Sequence, residues 1–122
     1  MNVQDALEQY ADQLVLVTGA TGFTGQHLCR KLVAAGARVR AVARASSDIS
    51  VLDNVEIEWI RGEVFDRDTL ELATREVNYI FHVAAAFRQE KDDLEEYRKV
   101  HLTSTQILAR LVTGKPEFKR FL

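Results

Sequence analysis

A chain of 122 residues, 47% hydrophobic and 28% charged, has the make-up of one globular domain with room for a single buried core. Its formal net charge of −2 gives no electrostatic basis for binding nucleic acid or an anionic membrane. No apolar run approaches the roughly 20 residues of a membrane span, and the one cysteine, Cys29, excludes an internal disulfide framework and fits a reducing, cytoplasmic setting.

Residues 2–12 carry Val3, Leu7, Tyr10 and Ala11 at helical intervals, with Asn2 placed as a cap. They predict a short amphipathic helix covering an edge of the fold; a frayed end is the other reading. The acidic start lacks the basic and apolar blocks of a secretory leader, so none is expected. Leu14-Val15-Leu16-Val17 is short, apolar and mostly β-branched or leucine, the pattern of a buried parallel strand.

The stretch Thr18-Gly19-Ala20-Thr21-Gly22-Phe23-Thr24-Gly25 follows directly, and a helical pattern from Phe23 to Ala35 follows that, stopping at Gly36. The glycines therefore occupy a strand-to-helix turn. Gly19 permits a backbone angle closed to other residues, Gly22 lets a phosphate approach the main chain, and Gly25 lets helix and strand pack closely. The free N–H groups and positive end of the helix complete an anion site, suited to a dinucleotide pyrophosphate held by Gly19, Thr21, Gly22, Phe23 and Thr24. The spacing is G-x-x-G-x-x-G rather than the general G-x-G-x-x-G, and a tight turn alone would also use glycine. Strand before and helix after decide for the nucleotide. Here the chain resembles the extended short-chain dehydrogenase/reductase family, whose nucleotide loop reads Thr-Gly-x-x-Gly-x-x-Gly.

Arg38–Ala43 reads as strand two, and Arg44 lies at its end, 19 positions after Gly25. That is where an acid would bind a ribose 2′-hydroxyl. An arginine reverses the charge logic and clamps a phosphate, so Arg44, followed by Ser46 and Ser47, favours NADP over NAD. An ordinary exposed loop arginine is the plainer alternative. Asp48 and Asp53 read as turn or cap residues, and Ser47–Leu52 as a single helical turn. Val55–Ile60 alternates as strand three.

Arg61-Gly62-Glu63-Val64-Phe65-Asp66 is similar to the family's Gly-Asp-Val/Leu followed by Asp. The resemblance implies that the Glu63 carboxylate meets the adenine amine and the Val64 N–H the adenine ring. Glu63 stands where Asp is usual, one methylene longer; a solvated loop acid is its other reading. Asp66 should cap a helix over 67–75.

Asn78–Val83 reads as strand four, leading to Ala84-Ala85-Ala86. Small residues there allow a flat ligand close to the backbone, so Ala84 and Ala85 are expected along the ribose edge. Phe81-His82-Val83-Ala84-Ala85 is similar to epimerase, dihydroflavonol-type reductase and 3β-hydroxysteroid dehydrogenase sequences. His82 would titrate near neutrality, yet a lone strand histidine more often supports packing, and a supporting role is the one expected of it.

Residues 87–99 mix both charges and read as a solvated surface. A helix over 93–112 follows, opened by Asp93 and Glu96 at capping-box spacing and closed by Gly114 and Pro116. The family's counterpart contains Val-Asn-x-x-Gly-Thr; in this chain Val100-His101-Leu102-Thr103-Ser104-Thr105 has histidine for the asparagine and serine for the glycine. That asparagine serves the family's proton relay, and the helix often pairs across a homodimer axis. Phe118–Leu122 opens strand five.

Family members continue to a Ser/Thr and a Tyr-x-x-x-Lys pair. Four residues after Tyr10, Tyr79 and Tyr97 stand Leu14, Val83 and His101, so no such pair exists in this chain. The resemblance covers the family's N-terminal nucleotide-binding part, which implies a truncated chain, a proteolytic fragment or a partial gene product. No other catalytic set replaces the pair, and His27 and Cys29 are poorly spaced for a metal. The expected fold is one domain over 1–122, a three-layer Rossmann-type α/β structure with a parallel sheet ordered 3-2-1-4-5. The expected function is the NAD(P)-binding portion of an epimerase, dehydratase or reductase acting by hydride transfer on a sugar nucleotide or similar alcohol. The alternatives are a non-catalytic dinucleotide-binding sensor or interaction module, and a Rossmann-like fragment that binds nothing.

Overall fold

The computed structural model describes residues 7–83, 95 and 98–122. Ala84, Ala85, most of the mixed-charge stretch and the first part of the helix expected over 93–112 lie outside the described residues, as does the start of the helix expected over 2–12.

Five strands, β1 (Leu14–Thr18), β2 (Arg38–Ala43), β3 (Ile57–Arg61), β4 (Tyr79–His82) and β5 (Arg120–Phe121), alternate with α1 (Phe23–Ala34), α2 (Arg67–Ala73) and α3 (Ser104–Val112). All strand pairs are parallel, in the order β3-β2-β1-β4-β5. This is the Rossmann-type arrangement, and the crossover direction reverses between β1 and β4.

β1 is buried along its whole length because both of its faces are covered. Val15 and Val17 pack with Cys29 and Leu32 of α1, Leu52 and Tyr10. Leu14 and Leu16 pack on the opposite face with Leu70 and Ala73 of α2 and Leu108 and Val112 of α3. The period-two alternation of side chains thus feeds two separate apolar layers. Arg30 on α1 ties its layer to the next crossover, donating to Asn54 Oδ1 at 3.1 Å and to the Val51 carbonyl.

Several boundaries differ from the sequence expectations, each for a visible reason. Ahead of β1, the described end of the segment expected as a helix over 2–12 is a 3-10 turn over Glu8–Tyr10, and Asp12, at φ 62°, reverses the chain into the strand. Tyr10 still covers the fold: its ring meets Tyr79 edge-on at 4.7 Å and Phe81 at 5.4 Å. The short turn between β2 and β3 is a 3-10 turn over Ser50–Leu52. β3 begins at Ile57, since the Val55 N–H is taken by the Leu52 carbonyl. α2 ends at Ala73 because Arg40 Nη1 takes the carbonyls of Ala73 and Arg75, at 2.9 and 2.8 Å, and Glu76 turns left-handed at φ 62°. Before α3 the chain forms a π-helical turn over Lys99–Thr103, which changes the helical phase just ahead of buried Ser104.

Candidate dinucleotide site

Parallel strands end on one edge of the sheet. Register pairs Thr18 with both Val42 and His82, and Ala43 with Arg61. The segments that leave β1, β2 and β3, which hold the candidate binding residues among those described, therefore start from the same edge, where β4 also ends. That is the side on which open α/β sheets take their ligands.

The three glycines of the β1–α1 turn have three different physical reasons. Gly19 has φ 72°, a left-handed angle costly for any residue with a Cβ. A Cβ at Gly25 would stand 1.9 Å from the Gly19 oxygen and 2.8 Å from Ala20 Cα, so the helix could not seat against the strand. Gly22 is different. Its backbone, φ −75° and ψ 170°, is open to any residue, and a Cβ there would make an ordinary 3.4 Å contact. Neither backbone nor packing requires glycine at 22, which leaves access to the bare main chain as its effect.

α1 opens with no side-chain cap and no acidic residue in its first turn. The N–H groups of that turn are the donors a helix leaves unpaired, and its positive end is not neutralised locally. Thr21 is half-buried, Thr24 is exposed, and Phe23 is 78% exposed with its ring edge-on to His27 at 4.7 Å. The Phe23 ring thus lies out on the surface beside the turn. Helix start, bare glycine and missing acid together fit a diphosphate.

Arg44, exposed, sits where β2 ends. Its carbonyl and that of Ser47 both accept from Nη1 of Arg61, at 2.8 and 2.9 Å. Sequence reasoning passed over Arg61; a residue closing the neighbouring strand carries no local mark of this role. Asp48 is the turn residue expected, its Oδ1 accepting from the Ser50 N–H at 2.9 Å, and its contacts with Ser50 hold the carboxyl below its usual range. Glu63 and Val64 follow β3 as half-buried residues. The Val64 side chain packs into the α2–α3 layer. Gly62 is needed for packing, since a Cβ there would meet Thr69 Oγ1 at 2.2 Å. Asp66 caps α2 as expected, accepting from the Thr69 hydroxyl at 2.7 Å and N–H at 3.0 Å, and these bonds lower its pKa.

His82 takes the supporting role. Its Nδ1 lies 2.7 Å from Thr18 Oγ1 and its Nε2 2.9 Å from Ser104 Oγ. Burial, and after it the nearby His101, push its pKa below the usual value, so the ring is neutral near pH 7 with one nitrogen donating and one accepting. Ser104, which stands where the family has glycine, is what the sequence reading missed. Cys29 is buried in the α1 layer, and desolvation pushes its thiol up to about 12, far from a nucleophile's range. A groove of about 410 Å³ between α3 and β5, lined by Ala109, Val112, Lys115, Phe118 and Phe121 among others, includes no residue of the glycine turn.

The model of the NAD dependent epimerase/dehydratase family matches residues 15–122. The chain is 38% identical over 93 residues to sterol demethylase protein B of Methylococcus capsulatus, covering 76% of this chain and 28% of that protein. It superposes on the epimerase Mth375 of Methanothermobacter thermautotrophicus with TM-score 0.77 and 28% identity, over 89% of this chain and 34% of that one. The Bordetella bronchiseptica enzyme WbmG, solved in complex with NAD, gives TM-score 0.77 and 25% identity, over 91% of this chain and 36% of that one. The chain thus spans about a third or less of the length of these relatives. With its glycine turn, its sheet order and these matches in hand, the chain belongs to the NAD-dependent epimerase/dehydratase family of extended short-chain dehydrogenases/reductases.

Proposed function

We propose that this chain is the NAD(P)-binding portion of an extended short-chain epimerase, dehydratase or reductase whose whole enzyme acts on a sugar nucleotide or similar alcohol or ketone. The observation that carries the reading is Gly22, a glycine that neither backbone angle nor packing demands, at the uncapped start of α1. WbmG, also solved with NAD and UDP, supports the sugar-nucleotide class.

When bound, the nicotinamide supplies a hydride acceptor or donor. The residues of this chain bind and orient. Main-chain N–H groups of Phe23 and Thr24, reached across bare Gly22 whose own N–H closes the turn onto the Gly19 carbonyl at 3.1 Å, hold the pyrophosphate, with Gly19, Thr21 and Gly25 shaping the turn. Arg44 holds a 2′-phosphate, which favours NADP over NAD. Glu63 and the Val64 N–H meet the adenine, and Ala84 and Ala85 line the ribose edge. No proton transfer is assigned to these residues, since the sequence contains no Tyr-x-x-x-Lys. The same reading expects a homodimer contact on the 93–112 segment, where Leu102 is 59% exposed; light scattering that finds only monomer removes it. The single buried cysteine supports a cytoplasmic setting.

Calorimetric titration of the chain with NADP and with NAD tests the core of this reading. Binding of both, with NADP tighter, is expected. Binding of neither overturns it.

A further inference from the structure

Arg61 closes β3 directly opposite Ala43, the last residue of β2. Its side chain runs along the strand ends to the turn beyond β2, where Nη1 alone holds the carbonyls of Arg44 and Ser47, at 2.8 and 2.9 Å. The Ser47 N–H also donates to the Arg44 carbonyl at 3.0 Å, closing a four-residue turn over 44–47. Asp48 fixes the next step through Ser50. The Arg44 side chain itself is exposed, and among the described residues no hydrogen bond or ion pair engages it.

A surface turn carrying Ala45, Ser46 and Ser47 would ordinarily sample many shapes. One guanidinium nitrogen chelating both of its end carbonyls removes most of that freedom, and the turn is ordered before any ligand arrives. The donors left on Arg61 add positive charge beside Arg44.

We propose that Arg61 is a positioning residue for dinucleotide selectivity, holding the Arg44–Ser47 turn in the shape that receives a 2′-phosphate. The inference rests on the dinucleotide reading of the glycine turn but adds to it a residue and a role. A turn set in advance gives up less ordering entropy when the phosphate binds, and NAD, which has no phosphate there, gains nothing from it. Arg61 should therefore act on NADP and leave NAD nearly untouched.

The test titrates the wild-type chain, Arg61→Met and Arg61→Lys with NADP and with NAD, and follows amide hydrogen exchange at Ser47 without ligand. Arg61→Met should weaken NADP about tenfold and NAD less than about twofold, the range for a lost charged hydrogen bond, while Ser47 exchanges faster. Arg61→Lys, with its charge kept but its planar fork lost, should fall between. Equal weakening of both dinucleotides would make Arg61 a merely structural tie and overturn the proposal. So would a Lys variant with wild-type selectivity and fast Ser47 exchange, because charge alone would then suffice. Wild-type binding with no NADP preference defeats the proposal and the Arg44 assignment yet leaves the dinucleotide site standing; binding of neither defeats that reading as well.

Discussion

Thr18 and His82 are register partners on adjacent strands, and their side chains meet at 2.7 Å between Oγ1 and Nδ1. Thr18 is the last residue of β1 before the glycine turn, and the other nitrogen of the same imidazole reaches Ser104 at the start of α3. One neutral ring thus ties the base of the turn to the helix on the far side of β4. Because the three groups are buried or half-buried, removing the Thr18 or the Ser104 hydroxyl takes its contact from one imidazole nitrogen in a place water reaches poorly.

Thr18→Val keeps the shape and deletes the hydroxyl. It should destabilise the chain by about 1–3 kcal/mol, the range for an orphaned buried polar partner. Urea unfolding reads this directly. Thr18→Val and Ser104→Ala combined should cost less than the sum of the two, since both act on one imidazole; strict additivity would mean that the ring does not connect them.

His82 should also give the chain a pH-dependent stability. Its folded pKa lies below the ordinary 6.5, chiefly through burial, so the unfolded chain binds the proton first. The sign follows: stability is unaffected by this group well above 6.5, falls as pH drops through the unfolded value, and levels off below the folded one. Urea midpoints measured from about pH 7.5 to about pH 5 should decline with a slope that His82→Gln flattens. An unchanged slope in the variant assigns the effect to other groups.

Gly22→Ala and Gly25→Ala separate access from packing. The Gly25 variant drives a methyl to 1.9 Å from a backbone oxygen, so helix and strand must part, at a cost of about 1–3 kcal/mol or more. The Gly22 variant makes an ordinary contact and should fold with near wild-type stability while binding dinucleotide more weakly. Thermal melts with paired titrations distinguish the two. A Gly22 variant that binds as well as wild type would show that access to the main chain is not what this glycine provides.

Arg44→Asp places a negative charge where the 2′-phosphate is proposed to sit, and should turn an NADP preference into an NAD preference by roughly tenfold or more. Because Arg44 is exposed, the melting temperature should hardly move. Competition between the two dinucleotides measures the ratio without requiring turnover.

The elements of the fold and their sequence along the chain were legible because they follow from short-range patterns. The apolar run of β1, the alternation around Trp59 and the helical spacing through Leu28 and Leu32 each declare their element within a few residues. Gly36 and Gly114, both at positive φ, mark helix ends as expected. The early stop of α2 was not legible. It depends on Arg40, 33 residues before Ala73, whose guanidinium collects the carbonyls that end the helix and also pairs with Glu58 at 2.8 Å.

By itself, the order of residues determined the element sequence, the two buried faces of the central strand and the glycine turn. These depend on periodicity and on where a Cβ can be tolerated, properties of neighbouring residues. Tertiary structure alone decided which distant side chains share a strand end: Arg61 under the Arg44 turn, and Ser104 against His82. Such pairings are set by strand register and by where a crossover helix lands, and a register shift of one residue would turn Arg61 or His82 to the opposite face of the sheet.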